Sequence, residues 1–277
     1  MTQHFGAGPL RVEVVAEGLG FVEGPAVLPA GRLALASMSR GSVVILDPDG
    51  AVDVEHRLGG GPNGLAVGPD GALYVAQNGG RFAARSTAAP GIQVIRDGSA
   101  DYLYRGLESP NDLVFGPDGR LWVTDSRADA DFRHPETTSP GQVWAVDLDT
   151  GRPELMAQGP IFVNGLGFSL DRRILYVTET VHAHITAYPF VGGALQAGRI
   201  LATLPAAHPD GLAIDSVGRL WLATTTGDRI DIISPDGALL AQHPLPPGSM
   251  PTNVCLGPGP ELFVTAAGTG TLLRLSG

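Results

Sequence analysis

The sequence predicts an all-β protein, a six-bladed β-propeller whose N-terminal strand closes the last blade. Two observations carry that expectation. A unit made of two alternating apolar runs around a turn recurs six times along the chain. A strand-like run also stands alone ahead of the first copy, while the last copy is one strand short. Glycine (39) and proline (23) are abundant among the 277 residues, which suits many short strands joined by tight turns.

The units begin EGPAVLPAGRLALAS at Glu23, PNGLAVGPDGALYVAQ at Pro62 and PNDLVFGPDGRLWVTD at Pro110. They continue with VNGLGFSLDRRILYVTE at Val163, PDGLAIDSVGRLWLAT at Pro209 and PTNVCLGPGPELFVTA at Pro251. Each reads as a hairpin of two strands. The PDG triplets at 48–50, 69–71, 117–119 and 235–237 fall between strands and read as turns. A third strand follows every unit: GSVVILDPDG, GIQVIRDG, GQVWAVDLDTG, AHITAYPF, DRIDIISPDG and GTLLRLSG. A fourth follows in five of them, at residues 52–58, 101–107, 153–159, 198–204 and 238–245. The sixth unit ends at Gly277 without one, and RVEVVAEGLG at 11–20 supplies it. Closure of this kind removes exposed sheet edges. The average of about 46 residues per unit lies within the ~40–50 of a propeller blade. The expected organisation is therefore a single domain over 1–277, with 1–10 as an N-terminal tail.

Composition narrows the partners. With 43% hydrophobic and 17% charged residues the chain is globular in type. A net charge of −10 argues against a nucleic-acid partner, which requires clustered Lys and Arg. The single cysteine, Cys255, forms no internal disulfide and offers no thiolate cluster; in NVCLG it reads as a small buried hydrophobe. MTQHFGAGPL lacks the pattern of a signal peptide, and no run approaches the ~18 apolar residues of a membrane helix. The expectation is a cytoplasmic protein with a small-molecule substrate and no membrane partner.

Aligning the units on their second strands exposes a column where the chain enters the first strand: Glu23, Asn63, Asn111, Asn164, Asp210 and Thr252, with Asn253 beside the last. In a propeller such positions converge around the central channel. Five of the six carry a carboxylate or carboxamide, the oxygen donors of a hard cation. The absence of thiolate and histidine from the column favours Ca²⁺, Mg²⁺ or Mn²⁺ over zinc. Taken singly, Asn63-Gly64 is a common turn dipeptide, and Asn111 is expected both to turn the chain and to face the cation. A turn role explains Glu23 poorly, because Glu is a weak turn former.

These stretches resemble the SMP-30/gluconolactonase/LRE-like hydrolases over about residues 11 to 277. EGPAV, SPNDLVFGPDGRLWVTD, VNGLGFS, HPDGLAID and PTNV match that family's segments in order. The resemblance implies one divalent cation in the channel, calcium first, with magnesium, manganese or zinc as alternatives. It implies Glu23, Asn164 and Asp210 as ligands, with Asn111 binding the metal directly or holding substrate and water. The implied activity is hydrolysis of a small lactone, gluconolactonase-like, with Asp210 activating water or attacking as a nucleophile. Asn63, Asn111, His182 and Phe132 are the expected substrate contacts.

Some sugar lactonases of the family carry an arginine two residues before this asparagine, where the chain has Ser109. His182 and His184 replace a small turn in the fourth unit, and His182 is expected over the channel mouth. Asp125 and Glu179 share a second column and read as solvated strand ends, with support behind the ligands as the alternative. The polar segment 126–140 reads as a lid able to contribute Phe132, Arg133 or His134, or as a surface loop. Organophosphorus hydrolysis, an isomerase or lyase reaction, and an NHL-like binding propeller are the competing readings; fold alone does not choose among them.

Overall fold

Six antiparallel sheets succeed one another along the chain in a computed structural model that describes residues 10–131, 133–204 and 207–277. Their innermost strands are Val22–Val27, Pro62–Val67, Pro110–Phe115, Val163–Phe168, Pro209–Ile214 and Pro251–Leu256, for blades 1 to 6. Each of these touches the inner strands of both neighbouring blades, and the sixth touches the first. In blades 1 to 5 the chain then steps outward, strand by strand. Blade 6 runs Pro251–Leu256, Glu261–Ala266, Thr271–Ser276 and finally the N-terminal strand Arg11–Ala16. Arg11 pairs with Ser276 and Val14 with Leu273, so the two chain ends share one sheet. A short strand absent from the sequence reading, Ala194–Leu195, folds back on Phe190 and Val191 and widens blade 4.

Burial explains the repeat's pattern. The second strands, such as Leu33–Ser37, Leu73–Gln77 and Leu121–Asp125, are buried throughout because both faces meet a neighbouring blade. The outermost strands alternate, as in Val52–Arg57, because one face meets water. Each blade interface holds its own apolar cluster. Trp122 packs with Val143, Val163 and Val177 between blades 3 and 4. Trp221 packs with Val254 and Leu262 between blades 5 and 6. Leu19, Val22 and Leu35 meet Phe263 and Leu272 where the ring closes, and Cys255, only partly buried, packs against this cluster.

A buried indole N–H needs an acceptor. Trp122 Nε1 donates to Asp118 Oδ1 at 3.0 Å and Trp221 Nε1 to Asp215 Oδ2 at 2.9 Å. Asp118 belongs to a PDG triplet, so that turn also pins the core. All four triplets do close turns: the N–H groups of Gly50, Gly71, Gly119 and Gly237 donate to the carbonyls of Asp47, Gly68, Gly116 and Ser234. No helix among the described residues is long and apolar enough to cross a membrane.

Candidate metal centre and active site

Every inner strand slips by one residue against its partner at the column. The breaks lie between Glu23 and Ala26, Pro62 and Leu65, Pro110 and Leu113, Val163 and Leu166, Pro209 and Leu212, and Pro251 and Asn253. A bulge of this kind re-aims the side chain it carries. It corrects the turn role expected for Asn111 and for Asn63-Gly64. Both asparagines sit second in an extended strand, and the bulge does the redirecting. The adjoining glycines serve close approach instead: a Cβ on Gly64 would lie 2.7 Å from the Asp112 Cα, and one on Gly165 2.7 Å from the Asp210 carbonyl oxygen.

Hydroxyls from the second strands fix the column's backbone from the neighbouring blade. Thr124 Oγ1 donates to the Asn164 carbonyl at 2.6 Å, and Thr178 Oγ1 to the Asp210 carbonyl at 2.7 Å. Thr252, the weakest member of the column, turns its hydroxyl to the Val22 carbonyl at 2.8 Å and so joins blade 6 to blade 1. Asn164 Nδ2 donates to Thr180 Oγ1 at 3.0 Å, which fixes the orientation of its amide.

The structure brings Glu23, Asn63, Asn111, Asn164 and Asp210 together at a cavity of about 670 Å³. All five are buried. Three oxygens there, Asn63 Oδ1, Asn164 Oδ1 and Asp210 Oδ1, have no hydrogen-bond partner. Buried polar atoms are ordinarily paired, and three orphaned oxygens in one cavity are of the type that a hard cation takes as ligands.

The charge balance agrees. Glu23, Asp112 and Asp210 are buried near one another, and none has an ion-pair partner among the described residues. Burial raises the proton affinity of Glu23 well above the usual carboxylate range, and the charges of Asp210 and Asp112 add to it. Burial does the same to Asp210, with Asp112 again contributing. Asp112 is pushed up to about 6 by burial, against hydrogen bonds from Leu113 and Asn253. Three such carboxylates cannot all ionise without a counter-charge. No cluster of three or more His, Cys, Asp or Glu side chains fit to hold a metal exists among the described residues. A cation here therefore needs carboxamide oxygens, which Asn164, Asn63 and Asn111 offer.

Other expectations fare differently. His182 is exposed, its Nδ1 lies 2.5 Å from Glu179 Oε1, and it is not among the residues lining the cavity. The histidine that lines it is His208, whose Nδ1 donates to the Thr180 carbonyl at 2.7 Å. Glu179 and Asp125 are not solvated strand ends. Glu179 is buried beneath His182 and His184, and Asp125 accepts the N–H groups of Glu108, Ser109 and Arg127. Asp125 thus holds the loop that leads into Asn111.

Ser109 is buried and does not line the cavity. In the 126–140 segment, Arg133 and His134 are exposed and away from the cavity lining, and Phe132 lies outside the described residues. Sequence reasoning missed Asp112, because period-two alternation sends neighbours to opposite faces; the bulge cancels that rule. It missed His208 because that residue precedes the repeat's aligned stretch, although HPDG placed it two residues from Asp210.

The sequence profile described as SMP-30/Gluconolactonase/LRE-like region matches residues 21–268. The 6-deoxy-6-sulfogluconolactonase of Pseudomonas putida is 35% identical over 127 residues, covering 44% of this chain and 43% of that protein. The chain thus spans less than half the length of this relative in alignment. The gluconolactonase of Zymomonas mobilis is 29% identical over 283 residues, covering 92% of this chain and 79% of that one. A solved structure, described as a gluconolactonase from Xanthomonas campestris, superimposes with a TM-score of 0.81 at 30% identity, covering 96% and 89% of the two chains.

Proposed function

Because the chain belongs to the SMP-30/gluconolactonase/LRE-like family, we propose that it hydrolyses a lactone at a divalent-cation site formed by Glu23, Asn164 and Asp210, with Asn111 beside them. The observation that carries this reading is the set of unpartnered oxygens on Asn63, Asn164 and Asp210, next to carboxylates that lack a counter-charge. Calcium suits an all-oxygen donor set best; magnesium, manganese and zinc are the alternatives. Lactonase names among the relatives support the reaction class. A divalent cation, when bound, polarises the carbonyl oxygen of an ester.

The chain's own residues do the rest. Asn111 and Asn63 offer amide N–H groups to the substrate's carbonyl and ring oxygens from the cavity wall. Asp210 takes a proton from water, through the carboxylate oxygen not given to the cation, as that water's oxygen bonds to the carbonyl carbon. The ring C–O bond then breaks, the proton passes to the departing ring oxygen, and a hydroxy acid is left. Ligation to a cation lowers a carboxylate's basicity, while burial raises that of Asp210. The two effects oppose each other, and ligation keeps the carboxylate ionised so that it can accept the proton.

The test is hydrolysis of simple δ- and γ-lactones, followed by proton release. The protein is stripped with chelator and then given Ca²⁺, Mg²⁺, Mn²⁺ or Zn²⁺ in turn. Turnover that vanishes with chelator and returns with one cation is the expected result. Cation-independent turnover, or none with any of the four, would end the proposal.

A further inference from the structure

The walls above the oxygen floor are apolar. Phe21 and Met38 come from blade 1, Phe82 from blade 2, Phe162 and Val181 from blade 4, and Met250 from blade 6. Four of the six blades therefore send hydrophobic side chains to one volume. Phe82 and Phe162 meet edge-on, with ring centroids 5.6 Å apart, and bridge blades 2 and 4 across blade 3.

The placement is built rather than incidental. Phe162 (φ 55°) and Met250 (φ 46°) hold left-handed backbone conformations that bulky residues adopt only where the surroundings dictate them. The Thr180 N–H donates to the Phe162 carbonyl at 3.3 Å, and the Met250 N–H to Asp228 Oδ1 at 2.7 Å, and so fix both.

Several polar groups on these walls, Thr226 apart, already bond backbone carbonyls or a neighbouring side chain. Arg81 donates through Nε to the Glu108 carbonyl at 3.2 Å and through Nη1 to the Ala128 carbonyl at 2.9 Å. Thr180 Oγ1 accepts from Asn164 and donates to the Pro209 carbonyl. Thr225 Oγ1 donates to the His208 carbonyl at 3.2 Å, and His208 Nδ1 to the Thr180 carbonyl. A polyhydroxylated ring would bring several hydroxyls against these walls and find few free partners, and unpaired buried hydroxyls are costly. At about 670 Å³ the cavity exceeds what a bare lactone ring fills.

We propose that the substrate is a lactone carrying an apolar alkyl or aryl substituent, seated between Phe82, Phe162 and Met250, rather than a sugar lactone. This rests on the lactonase reading for the chemistry, while the shape and polarity of the walls stand apart from it.

Two measurements separate the two claims. The first is binding by calorimetry, with Ca²⁺ present, of a pentyl-substituted tetrahydropyran and of the polyhydroxylated six-membered ether anhydroglucitol. Neither can be hydrolysed. The expected result is at least about tenfold tighter binding of the pentyl ether. Equal or tighter binding of anhydroglucitol, or no binding of the pentyl ether, overturns the inference whether or not any lactone turns over.

The second is kcat/KM for δ-decalactone, δ-valerolactone and glucono-δ-lactone. Decalactone is expected to lead glucono-δ-lactone by at least about tenfold. Phe82→Ala is expected to lower the decalactone-to-valerolactone ratio by a similar factor. A lead for glucono-δ-lactone overturns the inference and leaves the lactonase reading intact. Pentyl-ether binding without turnover of any lactone supports the apolar seat and overturns the lactonase reading.

Discussion

At the scale of single residues, three buried carboxylates and the amides beside them set the chemistry of the channel. Asp210→Asn keeps the shape of the site but removes both a charge and the proton acceptor. The expected loss in kcat/KM is about 10³-fold, within the span that general-base groups contribute. Asp112 makes a sharper claim because its carboxyl is pushed up to about 6, against an unfolded value near 3.9. A carboxyl raised in the folded state stabilises below its unfolded pKa and loses that contribution as pH rises through the folded one. In chelator, the wild type should therefore lose stability relative to Asp112→Asn between about pH 4 and 7, by an amount on the order of 3 kcal/mol. Equilibrium unfolding of the two proteins across that range measures it, and added Ca²⁺ should shrink the difference. Asp112 was not legible in the sequence, although it stands next to Asn111. Alternation assigns the two to opposite faces, and nothing in the letters PND marks the bulge that brings both to the channel.

At the scale of the strand, the repeat makes the site and the loops make its character. The column was legible because six copies of one unit can be aligned, and five oxygen-bearing residues at one register are hard to ascribe to turns. The cavity walls were not legible. Phe82, Phe162 and Met250 lie in connections outside the aligned strands, where no periodicity assigns a direction. For the same reason His182 was chosen over His208. The strand-to-strand hydroxyls can be tested directly. Thr178→Val removes the donor to the Asp210 and Gly165 carbonyls at nearly constant volume. It should cost about 1–2 kcal/mol of stability by denaturant unfolding and weaken cation binding as well. Gly64→Ala should cost more than that, since its Cβ would meet the Asp112 carboxylate and also the Asp112 Cα and Asn111 carbonyl, and that backbone cannot swing aside.

At the scale of the whole molecule, the ring closes only when Arg11–Ala16 pairs with Thr271–Ser276. Deleting residues 1–17 leaves the Thr271–Ser276 edge unpaired and opens the closure cluster around Leu19 and Phe263. The truncated chain should melt at least about 10 °C lower and associate on size-exclusion chromatography. The same closure draws Glu23 of blade 1 to Asp210 of blade 5, so the charge problem at the centre belongs to the complete ring. The most direct test of the central claim is metal content by elemental analysis of protein purified without chelator, wild type and Asp210→Asn in parallel. About one divalent ion per chain is expected in the wild type, with a clear loss in the variant. A metal-free wild type that gains no thermal stability from Ca²⁺, Mg²⁺, Mn²⁺ or Zn²⁺ would contradict it.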